Sequence, residues 1–186
     1  MPIAIETIAC NFVGQFKVGD NLGFNAELLQ KLMAANEGGA LNKFIVLQSG
    51  AIVEAALQQI IYRAQNHTVE GVPNISEADR TQIEERTVDT FNVIIDVLKK
   101  YKVLDGLGAD IYDELHKLRK YRNKVHIQKP IGIPNVSADE GTAFSDEIRK
   151  WALGLNVRVL KHLSEKFARP KELHGYVGAL TVPSAQ

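Results

Sequence analysis

Cysteine is almost absent from this chain of 186 residues, where it occurs once, as Cys10. A single thiol excludes a disulfide within the chain and a zinc site built from several cysteines. No histidine or lysine is obviously paired with Cys10, so we do not expect this thiol to be a nucleophile. A lone thiol is typical of a reducing compartment, and we expect a cytoplasmic protein.

The sequence also lacks an excess of charge of either sign, since it has 22 Lys and Arg against 22 Asp and Glu. Neutrality argues against a protein that coats nucleic acid through its overall charge, but it leaves a local basic site open. We find no basic N-terminal segment followed by an apolar one, and no apolar run of about 20 residues. The sequence therefore disfavours secretion and a membrane partner.

What the sequence does have is helical periodicity. Hydrophobic residues make up 45% of the chain and charged residues 24%, as in ordinary globular proteins. Apolar residues recur at helical spacing over about 26–36, 41–66, 76–101, 109–128 and 139–168. We find no repeat and no convincing pair of strands. The pattern predicts one all-α domain over 1–186, a bundle of four to five helices.

The ends of the chain are less regular than its middle. Residues 1–23 show no clear period and are interpreted as an arm of undetermined structure. The bundle is expected within 24–168, and the tail over 169–186 is expected to be loosely held. The predicted helix at 41–66 is apolar or small on nearly all sides, which indicates either a central position or a subunit interface.

The helix predicted at 109–128 carries an unusual arrangement of basic residues. When Leu118 is placed at the centre of its apolar stripe, Arg122 falls inside that stripe. Arg119 lies one turn before Arg122 and His126 one turn after it, so the three side chains are expected on one face. A buried arginine needs an acid, a carbonyl, water or an anion as its partner. In the simpler interpretation, the arginines reach a core acid or solvent, and His126 caps the helix.

Charge is segregated around this helix. Residues 115–138 contain no Asp or Glu, although they include six basic residues: Lys117, Arg119, Lys120, Arg122, Lys124 and Lys129. In a neutral protein this indicates a local positive field that suits an anion such as phosphate. Glu54 is the only charged residue between Lys43 and Arg63, and either arginine could donate to it or it could reach water.

The string from Leu118 to His126, LRKYRNKVH, resembles the signature of HEPN domains. Those domains are helical bundles with an arginine, usually followed by a polar residue, and a histidine four to six residues later. Arg119 has six residues between it and His126, whereas Arg122 is followed by Asn123 but has only three residues between it and that histidine. Either arginine could therefore fill the family's role.

The resemblance implies a metal-independent endoribonuclease that needs no cofactor and acts as a homodimer with a shared cleft. His126 would be the acid/base and Arg122 would bind the scissile phosphate, with Arg119 assisting or replacing it. Asn123, Lys120 and Glu54 would support the site. Such proteins occur as toxins or anti-phage defence factors, some restrained by an antitoxin or a nucleotidyltransferase-like partner. A non-catalytic HEPN-like module that binds RNA, a nucleotide or a protein is the alternative, and an unrelated helical interaction protein is a third.

Overall fold

The computed structural model describes residues 4–66, 71–128 and 130–185, and these residues are mostly helical. The helical character expected from the sequence is confirmed. In chain order the elements are β1 Ile5–Ile8, α1 Phe16–Ala34, α2 Asn42–Asn66, α3 Glu77–Glu84, α4 Phe91–Lys100, α5 Ile111–Arg122, α6 Glu140–Ala143, α7 Asp146–Lys166 and β2 Leu180–Pro183.

Helix α2 is the centre of the fold. It packs against α1, α3, α4, α5 and α7, and it is lined by fully buried residues such as Val46, Val53, Leu57 and Ile60. Each of these side chains contributes roughly 1.5–3 kcal/mol by leaving water. By length and composition α2 could cross a membrane, but 61% of its most apolar stretch is buried inside the protein, as in a core helix. The apolar surface of α2 is thus buried against other helices of the same chain.

A two-stranded antiparallel sheet joins the two ends of the described chain, although the sequence analysis found no strand pair. Ile5 is opposite Pro183 and Ile8 is opposite Leu180. Leu180 and Val182 are buried, so this part of the tail is packed rather than loosely held. The expectation failed because each strand has four residues and its partner lies at the other end of the chain. Local periodicity carries no signal for such a pairing.

Two buried arginines, Arg63 and Arg169, attach the N-terminal arm to the segment after α7, and we call them the arginine clamp. Arg63 Nη1 donates to the carbonyl oxygens of Phe12, at 3.2 Å, and of Phe167. Arg169 Nη1 donates to the carbonyl oxygens of Val13 and Gly14, both at 3.3 Å. The arm is therefore fixed through its main chain.

Helix α1 begins at Phe16, well before the start expected near residue 26. The Asn25 side chain does not cap a helix. It donates to the Asn21 carbonyl at 2.7 Å and accepts from Gln48 at 2.7 Å. Gly19 lies inside α1, where Val177 occupies the space a side chain would fill. Tertiary packing thus overrides the local cost of this glycine.

The helix expected over 76–101 is two helices. Ser76 caps α3, since its Oγ accepts from the Asp79 N–H at 3.1 Å. The chain leaves the helix after Glu84, and Thr90 Oγ1 then accepts from the Val93 N–H at 3.4 Å to begin α4. In the same way Ser145 caps α7 and separates it from α6, which divides the helix expected over 139–168.

Candidate functional site

Helix α5 buries the apolar face that its sequence predicts. Ile111, Leu115, Leu118 and Tyr121 are all fully buried. The helix ends at Arg122, however, and not near residue 128. Val125, expected in the apolar stripe, is 65% exposed. We call residues 123–128 the His126 turn, because the only histidine of the predicted site lies in it.

A buried lysine lies in the turn that follows the early end of α5. Lys124 is 4% exposed. Its Nζ donates to the carbonyl oxygens of His126 at 2.9 Å and Ile127 at 2.7 Å, and it lies 2.8 Å from Glu140 Oε1. An ammonium group thus satisfies two carbonyl oxygens of this turn. Pro130, which has no N–H, adds a local reason against a longer helix.

Arg122 forms an ion pair with Glu54 on α2, which is one of the alternatives that the sequence left open. The Glu54 side chain is 16% exposed and that of Arg122 is 37% exposed, so the pair lies at the edge of the core. Arg122 Nη1 also donates to Asn123 Oδ1 at 3.1 Å. Burial raises the pKa of Glu54, although Arg122 and the Phe91 N–H oppose that shift. The guanidinium is thus oriented while part of it stays open to solvent.

The approach of α5 to α2 depends on Gly50. A Cβ atom at Gly50 would lie 2.7 Å from Arg122 Cβ and 3.0 Å from its Cγ. Real Cβ atoms do not approach so closely, so any side chain at this position would push the two helices apart. Gly50 therefore places the Arg122 stem against α2, within reach of Glu54 one turn further along.

Arg119 differs from Arg122 because it has no anionic partner. It is partly buried and forms no ion pair or hydrogen bond with any residue in the described ranges, and its Nε atom is buried without an acceptor. The charge of Arg119 also acts on His116, whose pKa is lowered by burial first and by Arg119 second. A partly buried cation without a protein anion is suited to an external one.

His126 is exposed and lies on the turn after α5. Ile127 beside it is 81% exposed, and a cavity of about 450 Å³ is lined by Val125, His126, Ile127 and Gln128 among the described residues. The two arginines of α5 are not among the described residues that line this cavity, and neither forms a hydrogen bond with His126. The prediction that all three share one helical face is therefore wrong for His126, because α5 ends before reaching it.

The positive field around α5 is weaker than the sequence indicates, because acids from other elements enter it. Glu54 neutralises Arg122, and Glu140 neutralises Lys124. Lys120 Nζ donates to the Gly132 carbonyl at 3.0 Å, and so helps to hold the following loop. Among the predicted supporting residues, Glu54 and Asn123 contact Arg122, whereas Lys120 does not.

Sequence reasoning missed the group formed by Lys124, Glu140 and Lys43. Lys43 Nζ lies 2.7 Å from Glu140 Oε2, so Glu140 joins two lysines from distant parts of the chain. One signal was present, since Asp139 and Glu140 are the first acids after the acid-free stretch. Spacing alone could not show which basic residue either of them meets.

No family model, curated protein or solved structure matches this chain. In residues 4–66, 71–128 and 130–185, no group of three or more His, Cys, Asp or Glu side chains is arranged to hold a metal ion. Burial raises the pKa of the Cys10 thiol to about 12, so this thiol is a poor nucleophile at neutral pH.

Proposed function

We propose that this protein is a HEPN-like, metal-independent endoribonuclease whose site is built from Arg119, Arg122 and His126. The observation that carries the proposal is the partly buried guanidinium of Arg119, which forms no hydrogen bond or ion pair with the described residues. It lies one turn from Arg122, which Glu54 holds in place. Two arginines on the last turn of one helix favour a phosphate that approaches from solvent. The exposed His126 on the turn that follows supplies an imidazole, a group suited to acid–base catalysis.

The proposed reaction needs only the chemistry these side chains have. The 2′-oxygen of RNA attacks the adjacent phosphorus, the bond to the 5′-oxygen breaks, and a 2′,3′-cyclic phosphate forms. Arginine donors stabilise the negative charge that develops on the phosphoryl oxygens. A base takes the proton from the 2′-hydroxyl and an acid returns one to the 5′-oxygen, and His126 is suited to one of these transfers.

The position of His126 beyond the end of α5, off the helix that carries the arginines, supports a site completed by a second copy. Val125 and Ile127 expose apolar surface on either side of His126, and burying that surface between two chains would be favourable. In the proposed homodimer, two α5 ends face each other, so that the histidine of one chain meets the arginines of its partner. Cytoplasmic toxins and defence factors are the classes of protein that fit this activity.

The position of His126 off the α5 helix also favours a second candidate function. A non-catalytic module that binds RNA or a nucleotide through Arg119 and Arg122 needs no histidine in register with the phosphate. It would use the anion site without moving a proton. The two candidates differ in what His126 contributes, and mutation of this residue separates them.

The test is cleavage of a single-stranded RNA oligonucleotide by purified protein in EDTA. We expect products with 2′,3′-cyclic phosphate and 5′-hydroxyl ends, and a loss on the order of 10²–10⁴-fold for His126→Ala. His174→Ala, which changes a histidine in the C-terminal segment, should cleave like the parent protein. Equal cleavage by His126→Ala would refute the proposed role. RNA binding without cleavage by the parent protein would favour the binding module.

An experiment in cells tests whether the protein is a ribonuclease toxin. Overproduction of a ribonuclease toxin should arrest growth, and His126→Ala should relieve that arrest without lowering the amount of protein. Continued arrest by the variant would point to a cause other than RNA cleavage. A partner that restrains the toxin should restore growth when it is produced together with it.

A further inference from the structure

We infer that Lys124 is a positioning residue, which fixes the His126 turn through its main chain and is itself held by Glu140 and Lys43. The part of this inference that concerns activity rests on the proposed ribonuclease function. The part that concerns the geometry of the turn does not, and it can be tested without RNA.

The side chain of His126 has no anchor of its own. It forms no hydrogen bond or ion pair with the described residues, and its neighbours Val125 and Ile127 are exposed. The position of the imidazole therefore depends on the backbone that carries it. That backbone is held where Lys124 Nζ binds the carbonyl oxygens of His126 and Ile127, at 2.9 Å and 2.7 Å.

Lys124 can occupy this place because an acid meets it there. A buried ammonium without an anion is costly, and here its side chain is only 3% exposed. Glu140 lies 2.8 Å away, and it also binds Lys43 near the start of α2. Both lysines hold the pKa of Glu140 below its usual range, so the carboxylate stays ionised at neutral pH. The turn is thereby tied to α2, the helix that also carries Glu54.

Helix α2 therefore holds both parts of the site, the arginines of α5 and the His126 turn. Glu54 on α2 orients Arg122, and Lys43 near the start of α2 reaches the His126 turn through Glu140 and Lys124. A change in Lys124 should therefore move the imidazole and leave the arginines in place. A role in substrate binding would have a different signature, because it would weaken binding of RNA rather than release the turn.

The first experiment measures nuclear magnetic resonance order parameters of the backbone in residues 125–128 for Lys124→Met. Methionine has a similar length but cannot donate to the carbonyls, and we expect these order parameters to fall from about 0.85 to below about 0.6. Lys161→Met is the matched control, since it removes a lysine that pairs with Glu6 on the surface, 3.1 Å away. The control should leave the order parameters of the turn unchanged. Unchanged order parameters in a folded Lys124→Met protein would overturn the inference.

A second variant tests the inference if Lys124→Met fails to fold. Glu140→Gln retains an oxygen acceptor but loses the charge that balances Lys124, so the order parameters of the turn should fall less than in Lys124→Met. The nuclear magnetic resonance line of the His126 imidazole should also shift or broaden in this variant. If Glu140→Gln leaves both the order parameters and the imidazole line unchanged, the inference is overturned.

Kinetics with RNA distinguish positioning from binding. For Lys124→Met we expect kcat to fall about 10²-fold while KM stays within about twofold, because the imidazole is misplaced but the phosphate site is intact. A rise in KM with unchanged kcat would contradict a positioning role. If the parent protein cleaves no RNA, the ribonuclease proposal fails, whereas lower order parameters in Lys124→Met would still support the control of the turn by Lys124.

Discussion

Two pairs of arginines in this molecule have opposite environments. The arginine clamp, Arg63 and Arg169, is buried, and its guanidinium groups donate to main-chain carbonyls. The α5 pair, Arg119 and Arg122, lies at the edge of the core, where Arg122 has one acid and Arg119 has no partner in the part of the chain that the structure describes. Donors that the protein itself satisfies hold structure together, whereas donors left open can bind a ligand.

An arginine within an apolar helical pattern can have either a structural or a binding role. Arg63 lies in a helix that is long and apolar enough to cross a membrane by composition, so its position in the sequence is at least as anomalous as that of Arg122. Residue spacing marked Arg122 as unusual, whereas it did not mark Arg63. What separates them is the partner, and partners from distant segments cannot be read from spacing on one helix.

The largest expected effect belongs to the clamp. Arg63→Met leaves the carbonyl oxygens of Phe12 and Phe167 without this donor, and we expect the free energy of unfolding to fall by about 3 kcal/mol. Urea unfolding with an unchanged m-value measures this loss. If Arg63→Met lowers the free energy of unfolding no more than Arg119→Met does, the two pairs of arginines do not differ in their structural role.

A smaller loss is expected where α5 packs on α2. Gly50→Ala places a methyl group against Arg122 Cβ, and we expect a cost of about 2 kcal/mol. Gly23→Ala in α1 is the matched control. Nothing lies within 4 Å of the added Cβ, so the helix should gain about 0.5–1 kcal/mol. Thermal unfolding of both variants checks the pair, and a stabilised Gly50→Ala protein would show that the close helix contact does not constrain Arg122.

The smallest effect on stability should come from Arg119→Met, because this arginine forms no hydrogen bond or ion pair with the described residues. We expect the free energy of unfolding to stay within about 0.5 kcal/mol of the parent value. RNA cleavage should nevertheless fall at least about tenfold, since a charged hydrogen bond to phosphate is lost. A clear loss of stability with unchanged cleavage would place Arg119 with the clamp instead.

Local pattern predicted the parts of the fold that depend on local forces. The buried face of α5 follows from residue spacing, and the place of Ser76 before α3 follows from the preference of serine for helix N-caps. A buried charge needs a partner, and Glu54 was one of the partners open to Arg122. The end of α5 at Arg122 does not follow from local pattern, and neither does the contact of Lys124 with Glu140 from a later segment. The pairing of β1 with β2 involves an even more distant partner. The expected position of His126 on the α5 face was therefore wrong.

The central position of α2 has a consequence for how the chain must be made. Its apolar flank is covered by α7, whose residues are synthesised long after those of α2. A nascent chain that stops short of residue 146 leaves this flank open to water, in a helix with few charges to keep it apart from other chains. Such a chain is a target for chaperones and for aggregation, and truncation before α7 should yield insoluble material rather than a smaller stable domain.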